Sequence, residues 1–253
     1  MPQPETPAPD PEPGVITLGR AGKKTTLGGR TRVIVPLTGD AASLRSQVAA
    51  LASSRADIAE WRADTFLASL VGSHFVAAAD IQSELTSAAR YVTDASPVPV
   101  LATIRTFVEG GHAYLDDEEY CALVRCLAPL VGAVDVEISR DGAASLIEDA
   151  HGAGALAVAS FHDFEATPSD EVLAEVLAAM NHAGADVLKF ACTATSATDA
   201  ARVLAAQAWA REAYDRPVIG IAMGPNGAPT RLVGSALGSA ATFATLPGAE
   251  GSA

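Results

Sequence analysis

Lysine occurs only three times in this chain, at 23, 24 and 189, against fourteen arginines. Lys23 and Lys24 lie together in a Gly/Lys/Thr segment near the N-terminus, whereas Lys189 stands alone at the end of the apolar run AGADVLKF. A guanidinium stays protonated at any pH at which a protein works, but a lysine amine becomes a nucleophile once desolvation or neighbouring cations favour its neutral form. One isolated amine in a chain that otherwise carries positive charge on arginine points to imine chemistry on a carbonyl compound. His162 ends another apolar run, and imidazole is the side chain best suited to moving protons near neutral pH. The competing reading of the pair is a lysine with a buried stem whose head pairs with Glu137, beside a hydrogen-bonded histidine.

Other ionisable residues sit inside apolar runs at a spacing of two, which in a strand is one face. Ile58, Glu60 and Arg62 share a side, with Ala59 and Trp61 on the other; Asp135 and Glu137 oppose Val134, Val136 and Ile138; Val158, Ser160 and His162 fall together. Arg105 closes a further run and is followed by Glu109, Gly110 and Gly111. Charges on such faces are costly unless paired or used, so they form either a buried ion-pair layer or a reactive site, where Arg62, Arg105 and Arg231 supply the cations. His74, His112, His151 and His182 show no metal-ligand spacing and read as solvated or structural. Cys192 reads as a small buried thiol.

These residues need a scaffold that brings many strand ends to one place. The apolar runs are Val33–Leu37, Asp57–Arg62, Val98–Ile104, Val134–Ile138, Ala155–Phe161, Val187–Phe190, Val218–Met223 and Ala240–Leu246. Between them lie segments of helical period near 41–54, 66–90, 117–131, 141–152, 168–183, 196–213 and 230–239. Strands alternating with helices imply a parallel sheet, and eight units imply an α/β fold of the (β/α)8 TIM-barrel type, whose active sites gather at the carboxyl ends of the strands. A doubly wound open sheet is the rival, but the first run is followed by PLTGDAAS and not by G-x-G-x-x-G. The Gly224–Gly227 loop stands where barrels commonly bind phosphate, a weak signal by itself.

Ahead of the barrel, VITLG and TLGGRTRV read as an N-terminal β-hairpin able to plug or cap something. Residues 1–13, with six prolines and nothing large to bury, read as a disordered Pro-rich tail, leaving 14–253 as one domain. The net charge of −13 argues against nucleic acid and anionic membrane as partners. Three cysteines without a C-x-x-C pair encode neither a disulfide framework nor a zinc ribbon and suit a reducing cytoplasm. No apolar run reaches the length of a membrane span, and the N-terminus lacks the basic flank and apolar stretch of a signal peptide.

Seven segments in order resemble the type I 3-dehydroquinate dehydratases, the Schiff-base dehydratases of the shikimate pathway, which leads to the aromatic amino acids. They are VIVPLTG (33–39), ADIAEWRAD (56–64), LATIRTFVEGG (101–111), VDVEIS (134–139), SFHDFEATP (160–168), GADVLKFA (184–191) and the stretch 223–243 containing GPNGAPTRLVGSALGSAATF. The resemblance implies a (β/α)8 barrel with a hairpin across its bottom, a carboxylate substrate, no metal or dissociable cofactor, and a homodimer. It assigns Lys189 as the imine-forming amine on the C3 ketone and His162 as the histidine that assists imine formation and acts as general acid/base at C2 and the C1 hydroxyl. Glu109 then positions the histidine, Arg231 binds the carboxylate, Glu60 contacts ring hydroxyls, Arg62 and Arg105 are pocket cations, and Ser252 belongs to a lid-like loop. The sequence departs from the family pattern at its end, where a Pro-Gly-Gln loop and a last helix would follow. The expectation is therefore a barrel lacking its final helix, with weaker closure and stability. The alternatives are a class I aldolase-like barrel acting on a phosphorylated sugar, and a barrel that binds ligand without turnover.

Overall fold

The computed structural model describes residues 14–20, 22–71 and 78–246. Eight parallel strands follow one another around a barrel: β3 (Arg32–Leu37), β4 (Ile58–Arg62), β5 (Val100–Thr103), β6 (Ala133–Glu137), β7 (Leu156–Asp163), β8 (Val187–Thr193), β9 (Val218–Met223) and β10 (Ala241–Phe243). Each pairs with the next in sequence and β10 returns to β3. The ring is nearly closed between its last two strands, where Ala240 N donates to Val218 O at 2.8 Å. Among the described residues eight helices pack outside: α1 (Ala41–Leu51), α2 (Ala63–Val71), α3 (Ala78–Ala95), α4 (Asp117–Leu127), α5 (Ala143–Gly152), α6 (Asp170–His182), α7 (Ala197–Ala213) and α8 (Ala228–Val233).

Local chemistry explains where these helices begin. The Asp40 side chain accepts from Ser43 N ahead of α1, that of Ser169 from Val172 N ahead of α6, and Asp116/Glu119 and Ser196/Asp199 form capping boxes at α4 and α7. Each satisfies amides that the first turn leaves without intrahelical partners. The segment 66–90, expected as one helix, is two, α2 and α3, and Gly72, a residue that favours helix ends, directly follows α2 in sequence. The helix expected over 230–239 is the short α8 followed by a 3-10 turn at Gly234–Leu237.

The N-terminal strands β1 (Ile16–Arg20) and β2 (Lys23–Leu27) form the expected hairpin, but its turn falls between Arg20 and Lys23, so the Lys/Thr residues belong to the second strand. Leu18 and Leu27, both buried, pack with Ile34, Ile58, Leu101, Val158 and Val187 and so fill the barrel's amino-terminal end. Arg20 donates to the carbonyls of Val131, Pro129 and Ala153, and Lys23 Nζ to those of Thr93 and Asp94. Lys23 is thus committed to the end of α3 and is not a freely solvated charge. With one mouth plugged, the opposite mouth is where ligand can enter. Outward residues of the strands, among them Ala59, Trp61, Val134 and Val136, form the shell core against the helices. No helix among the described residues is long and apolar enough to cross a membrane.

Candidate active site

A cavity of about 220 Å³ opens at the carboxyl ends of the strands and is lined by Glu60, Arg62, Arg105, His162, Lys189 and Arg231. Six of the eight residues singled out above therefore share one wall-to-wall space. Glu109 lies directly behind it against His162, and Ser252 and the 1–13 tail fall outside the described residues. Phe164, Ile221, Met223 and Phe243 supply an apolar side to the same cavity.

Lys189 projects inward from β8 and is only 4% exposed. Its Nζ lies 3.2 Å from Asp135 Oδ2 and 3.4 Å from Glu60 Oε1, with the Phe243 ring centroid 5.2 Å away. The pairing anticipated with Glu137 is not made. Although Glu137 and Lys189 are level across β7, Glu137 is consumed elsewhere. It accepts from Arg105 Nη1, Thr106 N, Thr106 Oγ1 and Arg140 Nε at 2.7–3.2 Å. Those donors leave no lone pair for a fifth partner.

Arg105 is the hub of the ionic layer. Nη2 donates to Asp135 Oδ1 at 2.7 Å, while Nη1 reaches Glu109 Oε2, Glu137 Oε1 and Ser160 Oγ at 3.0–3.1 Å. Burial works against its charge, but Asp135, Glu109 and Glu137 together raise its pKa above the ordinary value. Burial would likewise raise the Asp135 carboxyl, yet Arg105, Lys189 and the Ser160 hydroxyl hold it below the usual range. The ion-pair layer posed above is present, and it holds groups that line the cavity.

His162 Nδ1 sits 3.0 Å from Glu109 Oε2, and Glu109 Oε1 accepts from Ser139 Oγ at 2.9 Å. Among the described residues His162 Nε2 has no hydrogen-bond partner, and the ring borders the cavity. Burial, reinforced by Arg105, Lys189 and Arg62, holds the imidazole well below its ordinary pKa, so it rests neutral. Burial pushes Glu109 up to about 7; Arg105 and the Ser139 hydroxyl oppose this and Glu137 adds to it. A carboxyl that changes protonation near neutral pH thus sits against an uncharged imidazole, a pairing that suits proton transfer.

Glu109 reaches this position because the chain after β5 folds back on itself. A 3-10 turn, Phe107–Glu109, ends at Gly110 with φ 76°, and Gly111 N returns to Thr106 O at 2.8 Å. A Cβ at Gly111 would stand 2.1 Å from Arg105 O, so only glycine fits this loop.

The two cations nearest open space are placed differently. Arg62 is gripped by Asp64 through Nε and Nη2, both at 2.8 Å, leaving Nη1 free of partners among the described residues. Asp64 also accepts from His112 N at 3.2 Å, tying the start of α2 to the segment that follows Glu109. Arg231 is carried by α8, which Thr230 locks to β9 by accepting from Ala222 N at 3.1 Å. The Gly224–Gly227 loop packs inward: a Cβ at Gly227 would meet Ala222 O at 1.9 Å, and Gly227 N is used by Gly224 O.

Several participants carried no assigned role in the sequence reading. His112, taken as solvated or structural, borders the cavity, and Ser139, Asp64, Thr106 and Tyr120 act behind it. Asp64 and Ser139 lay inside quoted motifs, two residues after Arg62 and Glu137, which was the signal available. Cys192 faces the helices, where burial pushes its thiol up to about 12, so it is inert. His151 pairs with Asp186 at 2.8 Å, and His74 lies outside the described residues.

A buried amine, a neutral imidazole backed by a carboxyl, and two arginines share one cavity of a hairpin-plugged (β/α)8 barrel, the build of a barrel enzyme; the amine stands inside β8, which runs on to Thr193, and not at the strand end expected from the sequence. The sequence model of type I 3-dehydroquinase matches residues 33–253. A 3-dehydroquinate dehydratase of Klebsiella pneumoniae is 35% identical over 224 residues, 86% of each chain. One from Bacillus licheniformis is 33% identical over 225 residues, covering 86% of this chain and 85% of its own. Among solved structures, the type I enzyme of Clostridium difficile, with covalently modified comenic acid, superposes with a TM-score of 0.82 at 28% identity, covering 94% of this chain and 91% of its own. The 3-dehydroquinate dehydratase of Geobacillus kaustophilus also gives 0.82 at 28% identity, covering 94% and 90%. This chain belongs to the type I 3-dehydroquinase family, and with it to the hydro-lyases.

Proposed function

We propose that this chain converts 3-dehydroquinate to 3-dehydroshikimate through an imine on Lys189. The observation that carries the reading is the placement of Lys189 Nζ, buried between Asp135 and Glu60 in a cavity shared with His162 and Arg231. These two carboxylates are within reach of the proton that the amine must lose before attacking the C3 carbonyl. The carbonyl oxygen then departs as water and a C3 iminium forms. That cation draws electrons from C2, so its C–H acidifies, and His162 Nε2 takes the proton to give an enamine. The enamine electrons expel the C1 hydroxyl, which leaves as water with the proton held by His162. One water hydrolyses the remaining iminium and frees the amine, so the net change is loss of one water. Arg231, with the free Nη1 of Arg62, meets the substrate carboxylate, and Glu60 faces the ring hydroxyls. Ile221, Met223 and Phe243 give the carbon ring an apolar wall.

Borohydride reduction in the presence of 3-dehydroquinate tests this. A stable mass should appear on the peptide containing Lys189, and Lys189→Arg should abolish both labelling and turnover while retaining charge. Labelling at Lys23 or Lys24, or labelling by a sugar phosphate and not by 3-dehydroquinate, overturns the reading.

A further inference from the structure

The hydrogen-bond chain behind the imidazole ends on a residue with no counterpart in the proposed reaction. Ser139 follows β6 in the turn toward α5, is itself exposed, and donates its hydroxyl to Glu109 Oε1 at 2.9 Å. The other Glu109 oxygen, Oε2, is shared by Arg105 Nη1 and His162 Nδ1, each at 3.0 Å. We propose that Ser139 is a positioning residue for proton transfer: its hydroxyl holds Glu109 as an ionised acceptor for Nδ1–H, which leaves His162 Nε2 bare toward the cavity as the base.

The two protonation states of Glu109 have opposite consequences for the ring. An ionised Glu109 accepts from Nδ1–H, and the neutral imidazole then offers a lone pair at Nε2. A protonated Glu109 donates to Nδ1 instead, so the ring carries its hydrogen on Nε2 and presents the cavity with a donor. Catalysis by His162 therefore fails as Glu109 takes up its proton. The groups facing Glu109 are Arg105 from just beyond β5, Asp135 and Glu137 from β6, Ser139 from the following turn and His162 from β7. Arg62 from β4 and Lys189 from β8 act on the ring itself. Burial, with Glu137 and Asp135, favours the protonated acid; Arg105 and the Ser139 hydroxyl oppose it. Arg105 holds the whole ionic layer and cannot be changed alone, whereas the Ser139 side chain hydrogen-bonds only to Glu109 among the described residues, so it is the position at which the balance is adjustable.

This inference rests on His162 being the proton-transfer group. The experiment measures kcat against pH for the parent, Ser139→Ala, Ser139→Thr and Ser139→Asp, with His162→Ala as a separate arm. In Ser139→Ala the acid limb should move up by about half a pH unit, read as roughly three-fold lower kcat at a fixed pH on the limb, with KM little changed. Ser139→Asp should move the limb further because a like charge faces Glu109, and Ser139→Thr should return it to the parent position. An alanine limb coincident with the parent, an aspartate limb below the alanine one, or a uniform loss at every pH overturns the proposal. If His162→Ala retains parental kcat, the assignment of the base has failed instead, a result distinct from any position of the serine limbs.

Discussion

Asp135 bridges Arg105 and Lys189: one carboxylate oxygen receives Arg105 Nη2 at 2.7 Å and the other lies 3.2 Å from Lys189 Nζ, with the residue wholly buried. The central cation of the ionic layer and the amine proposed to form the imine are thus held by the same group. Asp135→Ala should leave two buried cations short of a partner and lower stability by about 3–5 kcal/mol. Chemical denaturation of the variant beside the parent measures this, and a loss below about 1 kcal/mol would show that water replaces the carboxylate.

His162→Ala should lower kcat by at least ~10²-fold, the lower range for removing a general acid/base. Imine trapping by borohydride should survive, because attack by Lys189 precedes the C2 proton transfer. A kcat within a few-fold of the parent would assign the proton transfer to another group.

Arg231→Ala should chiefly raise KM, since a carboxylate anchor acts in ground and transition states alike. Asp64→Asn should do the same through Arg62, whose guanidinium would lose its bidentate clamp. Steady-state kinetics separate the two parameters, and a fall in kcat at constant KM in both variants would place these residues on the chemical step.

The Glu109–His162 pair makes a prediction about stability against pH. Glu109 has a folded pKa of about 7 against an ordinary 4.5, so its contribution is present below pH 4.5 and is lost as pH rises toward 7. His162 is depressed below its ordinary 6.5, so the folded state binds fewer protons there and stability from this group falls as pH drops below 6.5. The two slopes oppose one another between these values, and the parent Tm should change little from this pair across that window. In Glu109→Gln the histidine slope remains alone, so Tm should rise as pH goes from about 5 to about 7. Scanning calorimetry at several pH values checks it; parallel curves for parent and variant would contradict the pairing.

Gly111→Ala should displace the loop carrying Glu109, because the added carbon would meet Arg105 O at 2.1 Å. Clashes of this kind cost on the order of 1–3 kcal/mol, and kcat should fall with stability as Glu109 leaves His162. Full activity in the variant would show that the loop's closed form is not required.

Much of this arrangement is a local property of the chain. Period-two alternation already sorts Glu60, Arg62, Asp135, Glu137, His162 and Lys189 from Ala59, Trp61, Val134 and Val136, because successive strand side chains must point to opposite faces. Eight apolar runs separated by helical segments likewise announce the barrel, and a parallel sheet requires that kind of crossover. The turn of the hairpin and the division of 66–90 into two helices were less legible, since element ends depend on a few residues with competing preferences.

The choice of partners belonged to the tertiary structure. Strand periodicity places Lys189 level with Glu137 across β7, but the amine goes to Asp135 and Glu60 because Arg105, Thr106 and Arg140 arrive from other parts of the chain and saturate Glu137. The same is true of Glu109, whose proton affinity depends on burial and on charges from β5 and β6, and of Ser139, which meets it across 30 positions in sequence. The sequence by itself determined which side chains face inward. Which of them hold one another, and in what protonation state, was decided only when eight strands brought distant charges into one volume poor in water, where each carboxylate has few lone pairs and every buried donor must find one.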